Sequence, residues 1–348
     1  MMMHLCEMGT RLVVTFKDRS ELTPQLYKKL LSEIESGKYS VIVIRKFVEE
    51  KVCQEWKVEL ERLAESTQDS GEAPRVKVLL GQRFSETKGK PEGKEAYFEN
   101  TRKHAASLQQ FFQPVISFMD KTFPGGAKMM EFGEGKRFSP GLARQLIGDV
   151  DGHENKLERD FDQGDIPEDF HGASQIAAYV CVEAPLVGGE MIFSNRSLDT
   201  ETYERMKGDS HGISLPALGL PDVVLKPQRG DLILFNSRNL HATRGVPIVE
   251  KPQPVAEERS EDESESDVEI LSEDPAVLLR GHEITDRGNK KVIGEESTTL
   301  SPKTNGNVFS PGASPLRAVR DPPPLGNLIV LSSFMLLRGA EKPLLFWS

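Results

Sequence analysis

Arg229-Gly230-Asp231-Leu232-Ile233-Leu234-Phe235-Asn236-Ser237-Arg238-Asn239-Leu240-His241 is the stretch whose reading decides the fold. The Arg-Gly-Asp turn starts a strand over 231–235, and its consecutive apolar residues Leu232, Ile233 and Leu234 can face both layers of a jelly roll. A histidine follows three residues after Arg238. Upstream, Gln175-Ile176-Ala177-Ala178-Tyr179-Val180-Cys181-Val182 reads as another strand. The Gly188-Gly189 pair then lets the chain turn tightly into Glu190-Met191-Ile192-Phe193. Further back, Ala143-Arg144-Gln145-Leu146-Ile147 runs as a strand towards Gly152-His153-Glu154-Asn155.

The N-terminal part has a different texture. Residues 11–16 read as a strand, and 22–36 as a helix that Thr23-Pro24 begins with a cap and a first-turn proline. The β-branched run at 39–44 reads as a buried strand. Val48, Val52, Trp56, Leu60 and Leu63 recur at helical spacing, as do Leu108, Phe111, Phe112, Val115, Ile116 and Met119 within a helix expected over 95–122. The polar stretch 65–94 reads as an exposed loop or lid. Short strands are expected at 128–132, 143–147, 175–182, 190–193, 223–225 and 231–235. Helices followed by many short strands point to an α+β fold with helices packed outside a sandwich or barrel.

The sequence has 348 residues and a net charge of −10, much of it from the acidic run at 257–269. That balance argues against a nucleic-acid-binding body, which carries a basic stripe. From 249 to 324 the chain is acidic and then rich in Ser, Thr, Pro and Gly, a composition that buries too little surface to offset ordering entropy. We therefore expect four regions: 1–127, an α/β portion packed on the core; 128–248, the core; 249–324, a disordered insertion; and 325–348, a last strand containing LIVLSSF and an apolar end. The three cysteines, Cys6, Cys53 and Cys181, form neither a zinc pattern nor a disulfide framework. Cys53 and Cys181 read as buried thiols. No run of about 18 apolar residues suggests a membrane span, and no secretory signal is apparent. A cytoplasmic or nuclear location is expected; oligomeric state is not legible.

The chemistry follows from two histidines, His153 and His241, that distant strands would bring to one interior point. A non-haem iron(II) centre uses two imidazoles and one carboxylate on one face and leaves three positions open. The GGEM segment, GDLILFNSRNLHA and the upstream histidine together resemble the iron(II)/2-oxoglutarate-dependent oxygenases, in the prolyl-hydroxylase-like branch near hydroxylases and halogenases of amino acids and other small molecules. The resemblance spans about 39–245 and resumes at 328–348; GDLILFNSRNLHA is its most specific piece. It implies a double-stranded β-helix (jelly-roll) barrel, with iron(II) and 2-oxoglutarate as cofactors and ascorbate as a supporting reductant. It also implies His153 and His241 as metal ligands.

Two positions depart from the family pattern. Asn155 stands where the family's carboxylate ligand falls, and is itself a candidate oxygen ligand. Leu328 stands where an arginine usually holds the distal carboxylate of 2-oxoglutarate; Arg238 and Arg244, flanking His241, are the candidate substitutes. Arg144 could line the cavity against substrate or pair with an acidic neighbour. Asn236 could face substrate or stabilise a turn. The functional expectation is oxidation of an unactivated C–H bond of a small molecule, amino acid or protein side chain, with no nucleic acid or membrane involved. The alternative is a catalytically inactive barrel that binds a ligand or partner.

Overall fold

The structure, a computed structural model, describes residues 12–65, 76–87, 91–133, 135–146, 156–157, 173–194, 196, 198–209, 212–246, 326–339 and 341–348. These belong to one compact unit made of 1–250 with 323–348; a second unit, 251–322, lies wholly outside the described residues. The expected disordered insertion falls almost entirely on that second unit.

β1 (Leu12–Phe16), α1 (Pro24–Glu35), β2 (Tyr39–Ile44), α2 (Glu50–Glu65) and β3 (Val76–Leu80) come first. α3 (Pro91–Lys103), α4 (Ala105–Thr122), β4 (Ala127–Met129), β5 (Leu142–Leu146) and β6 (Lys156–Leu157) follow. Next are β7 (Ser174–Glu183), β8 (Met191–Ser194), α5 (Thr200–Lys207), β9 (Ile213–Ser214), α6 (Leu215–Leu218) and β10 (Val223–Leu225). β11 (Leu232–Asn236), β12 (Leu240–Thr243), β13 (Leu328–Leu337) and β14 (Leu344–Trp347) come last. The fold is α+β, as its sequence pattern suggests.

The large sheet has the order β1-β2-β11-β7-β13-β14-β4, with β5 beside the first half of β13 and β3 beside β5. A small sheet has the order β10-β8-β12, and β6 pairs with β9. Most pairings are antiparallel; β1–β2 and β14–β4 are parallel. The expected barrel is not closed: among the described residues the large sheet runs from β1 to β4 without returning on itself. The two sheets meet through side chains rather than through shared backbone hydrogen bonds.

Alternation explains how they meet. On one face of the large sheet, Ile42, Ile44, Ile176, Ala178, Val180, Leu232, Leu234, Ile329 and Leu331 join the main core with residues of α1, α2 and α4. On the other face, Val41, Val43, Ala177, Tyr179, Ile233 and Phe235 pack against Met191 and Phe193 of β8 and Val223 and Leu225 of β10. Helices therefore cover one side and the small sheet the other. A one-residue slip of β11 would exchange these two faces. Because each buried Leu, Ile or Phe contributes roughly 1.5–3 kcal/mol, the register is firmly held.

α1 starts where its sequence says it should: the Thr23 side chain accepts the Leu26 N–H, and Pro24 occupies the first turn. Its buried stripe is Tyr27, Leu30, Leu31 and Ile34. The single helix expected over 95–122 is two, α3 and α4, broken at His104, whose backbone leaves the helical region with ψ 11°. β3 lies in the stretch expected to be a loop, and β13 is longer than LIVLSSF, reaching Leu337. Cys53 and Cys181 are buried free thiols. Burial pushes the Cys53 thiol up to about 11 and the Cys181 thiol higher still.

β14 is tied to α3 by Tyr97, which is completely buried and whose pKa burial pushes up to about 12. Its hydroxyl accepts the Ser139 N–H at 2.9 Å and donates to the Ser348 main-chain oxygen at 2.8 Å. Tyr97→Phe leaves a buried donor without its acceptor, so the expected loss is about 1–3 kcal/mol in urea unfolding. An unchanged midpoint would show that the hydroxyl contributes nothing.

Candidate active site

The site is built on the face of the large sheet that looks towards the small one. The three-residue connection Ser237–Asn239 carries the chain from β11 in the large sheet to β12 in the small one. Its geometry is fixed locally. Asn236 Oδ1 accepts the Arg238 N–H at 3.0 Å, the Asn239 N–H donates to the Asn236 carbonyl at 3.0 Å, and the Ser237 N–H donates to the Gln175 carbonyl. Asn236 thus has a turn-forming bond, and by strand alternation it follows Leu232 and Leu234 towards the helix face.

β12 then alternates in the same way. Leu240 and Ala242 pack on the outer side of the small sheet with Ile192, Tyr203, Ile213 and Leu218. His241, opposite Phe193 of β8, is turned inwards, 7% exposed. Its ring lies 4.8 Å from the Phe235 ring, and its Nδ1 is 2.9 Å from the Asn239 carbonyl oxygen. That carbonyl can only accept, so Nδ1 carries a proton and donates this bond. A histidine oriented through one ring nitrogen by a backbone carbonyl is prepared to bind a metal through the other.

The other expected site residues fall in different places. His153 and Asn155 lie outside the described residues. Among the described residues no group of three His, Cys, Asp or Glu side chains gathers to hold a metal. Arg244 is exposed and follows the outward-facing Ala242; its N–H donates to the Glu190 carbonyl. Arg238, half-buried in the turn, donates through Nη2 to the Ala173 carbonyl at 3.4 Å. Leu328 is 1% exposed and packs with Cys181, Val246 and Val330.

Arg144 is on the inner face. Its neighbour Ala143 belongs to the helix-side core, and Arg144 itself stands opposite Val330, which packs with Leu328 on the inner side. Its Nη2 donates to the Tyr179 hydroxyl at 2.8 Å, reaching across β13, and its Cζ lies 5.3 Å from the Tyr179 ring centroid. Tyr179 is 5% exposed and its ring is 5.1 Å from Phe235, the ring that His241 also touches. One phenylalanine therefore separates a cation–phenol pair from an oriented imidazole.

Tyr179 was not among the residues singled out from sequence. Its only signal was a lone polar-tipped aromatic at an inward position of an Ala- and Val-rich strand. Trp347 was missed too: it faces Phe334 across β13–β14, and its buried indole N–H has no hydrogen-bond partner among the described residues.

No family model matches the chain, and neither does any curated protein. Solved structures do. Those that resemble it include 2-oxoglutarate-dependent oxygenases. An N-substituted L-amino acid dioxygenase from Burkholderia ambifaria AMMD, in complex with alpha-KG, matches at 13% identity and TM-score 0.48 over 100% of both chains. HygX from Streptomyces hygroscopicus, with nickel and 2-oxoglutarate bound, matches at 16% identity and TM-score 0.34, over 65% of this chain and 82% of its own. An oxidoreductase of the 2OG-Fe(II) oxygenase family from Burkholderia pseudomallei matches at 13% identity and TM-score 0.36, over 67% and 88%. Among the described residues no helix is long and apolar enough to cross a membrane.

Proposed function

We propose that the protein is an iron(II)- and 2-oxoglutarate-dependent oxygenase that oxidises a C–H bond of a small molecule or an amino-acid side chain. The observation that carries this reading is the inward His241, whose Nδ1 is committed to the Asn239 carbonyl. His241 Nε2 is one ligand in this reading; His153 and Asn155 are the proposed remaining ligands from the chain. Bound iron(II) would supply the oxidising chemistry, with 2-oxoglutarate and oxygen as co-substrates.

The chain's own residues do the rest. Asn239 fixes the His241 tautomer, and Phe235 and Phe193 wall the imidazole with apolar surface that keeps water from its sides. Apolar surroundings of this kind strengthen a polar contact beside them. The proposed double-stranded β-helix corresponds to the two apposed sheets, with His241 between them.

The test is turnover of 2-oxoglutarate by the full chain with iron(II) and oxygen, read as succinate. Succinate formation that requires iron and disappears in His241→Ala supports the reading. No succinate with any panel of small acids, amino acids and peptides, and none without a substrate, would favour a ligand-binding protein without turnover.

A further inference from the structure

We infer that the Trp347 indole N–H is the hydrogen-bond donor that selects the substrate, and that it takes a neutral carbonyl carried on an apolar, ring-bearing body. The inference rests on the reading of the cleft beside His241 as the place of oxidation, and it adds a substrate class to that reading.

The first observation is an unpaired donor. Trp347 is 4% exposed, and its Nε1–H is sealed without a hydrogen-bond partner among the described residues. A buried donor left unmade costs about 1–3 kcal/mol, so a ligand that supplies the missing acceptor is favoured over one that does not. The indole can only donate, so its partner is an acceptor. The donor is also neutral, and a carboxylate brought to it would give up its hydration for one neutral bond. A ketone, amide or ester carbonyl is the better match.

The second observation is its place. Phe235, Ala177, Phe334 and Trp347 stand on β11, β7, β13 and β14, each directly opposite the next. Residues paired in this way share a face, so the four form one row across the inner side of the large sheet. Phe334 packs against both the cluster that holds Phe235 and the cluster that holds Trp347. His241 touches the Phe235 end of the row. Three strand spacings, roughly 14 Å, separate the two ends at the backbone. A substrate lying along the row presents a C–H bond near His241 and a carbonyl to the indole.

The third observation is the way in. Phe334 is the one residue of β13 that is part-exposed rather than buried. Its ring lies 5.5 Å from the Trp347 ring, tilted by 45°. Phe138, which meets Trp347 edge-on at 6.2 Å, is completely buried. Access to the indole therefore comes from the Phe334 side, where a rotation of that ring uncovers it. The open part of the Phe334 ring is also a platform for an apolar ring of the substrate.

The experiment uses the full chain with isotopically labelled indole nitrogens. Its two tryptophans are Trp56 and Trp347, so a proton–nitrogen spectrum holds two indole signals, which Trp347→Phe assigns. Three probes of similar size are titrated: acetophenone, with a neutral carbonyl; isopropenylbenzene, of the same shape without an acceptor; and benzoate. The expected result is a saturable downfield shift of the Trp347 proton with acetophenone, and an unmoved Trp56 signal. Isopropenylbenzene and benzoate should bind about 10-fold more weakly than acetophenone. Trp347→Phe keeps a ring and loses the N–H, so it should no longer distinguish acetophenone from isopropenylbenzene. A Trp347 signal that no probe moves, or equal binding of those two probes by the wild type, overturns the inference. So does a Trp347→Phe variant that melts lower but keeps the preference, because the indole would then serve packing alone. Succinate formation by the same preparation separates this inference from the reading beneath it. Succinate without the indole shift leaves the oxygenase standing and removes Trp347 from its substrate site. The indole shift and the preference without succinate leave a carbonyl-binding pocket and remove the oxidation.

Discussion

Gly230→Ala lowers the melting temperature by on the order of 10 °C. Two causes act together. Gly230 has φ +83°, where any β-carbon is strained by about 1–2 kcal/mol. An added Cβ would also stand 2.2 Å from the Val48 carbonyl oxygen, a backbone atom that cannot swing aside. The same carbonyl-rich corner is tied by Val48 N–H to Gly230 O at 3.0 Å and Gly230 N–H to Cys181 O at 2.8 Å. Moving it pulls on the next residue, Asp231, which is 1% exposed, ion-paired to Arg45 and hydrogen-bonded to the Gln228 N–H at 2.8 Å. Burial raises the Asp231 pKa, with Arg45 acting against it. Gly208→Ala is the control. It has φ +57° and ψ −137° after α5 but nothing within 4 Å of the added Cβ, so only the backbone strain applies, at about 1–3 kcal/mol. Thermal melts that show equal losses for both variants would mean that the Val48 contact is unimportant.

His241→Ala is expected to weaken divalent-metal binding by at least about 100-fold. Loss of an outer hydrogen-bond partner of a ligating histidine already costs about 10–100-fold, and this change removes the ligand itself. The fold should survive, because His241 is one inward residue of a four-residue strand whose apolar contacts come chiefly from Leu240 and Ala242. Equilibrium dialysis with manganese(II), beside a thermal melt, separates the two effects. A variant that melts like the wild type and still binds the metal equally well would remove His241 from the site.

The sequence and the structure agree where a single local rule dominates. β11 was legible because its four consecutive apolar residues must serve two faces, and the structure sends Leu232 and Leu234 to the helices and Ile233 and Phe235 to the small sheet. α1 was legible from Thr23 and Pro24. β12 was not, because Leu-His-Ala-Thr is too short to display a period and carries its histidine in the middle. β3 was hidden because Val76-Lys77-Val78 sits beside a polar stretch and leaves its valines half in solvent.

Closure of the sheet is a non-local property. No residue pattern records whether β1 and β4 will meet, and the described residues keep them at opposite ends of the path. The motif singled out His241, and β12 turns it inwards opposite Phe193. The partnership of Arg144 with Tyr179 was not legible, because their contact spans β13, whose facing residues Val330 and Ser332 lie 186 and 153 positions further along the chain. Arg238 and Arg244 drew attention by sequence proximity to His241, yet alternation and turn geometry direct them elsewhere.

We propose that His241 belongs to an iron(II) site that takes a 2-oxo acid. An anaerobic titration of the full chain with iron(II) and 2-oxoglutarate, followed by visible absorption, tests it most directly. The expected result is a metal-to-ligand charge-transfer band that saturates at one iron per chain and is absent in His241→Ala. A wild-type protein that develops no band and binds no iron would contradict it.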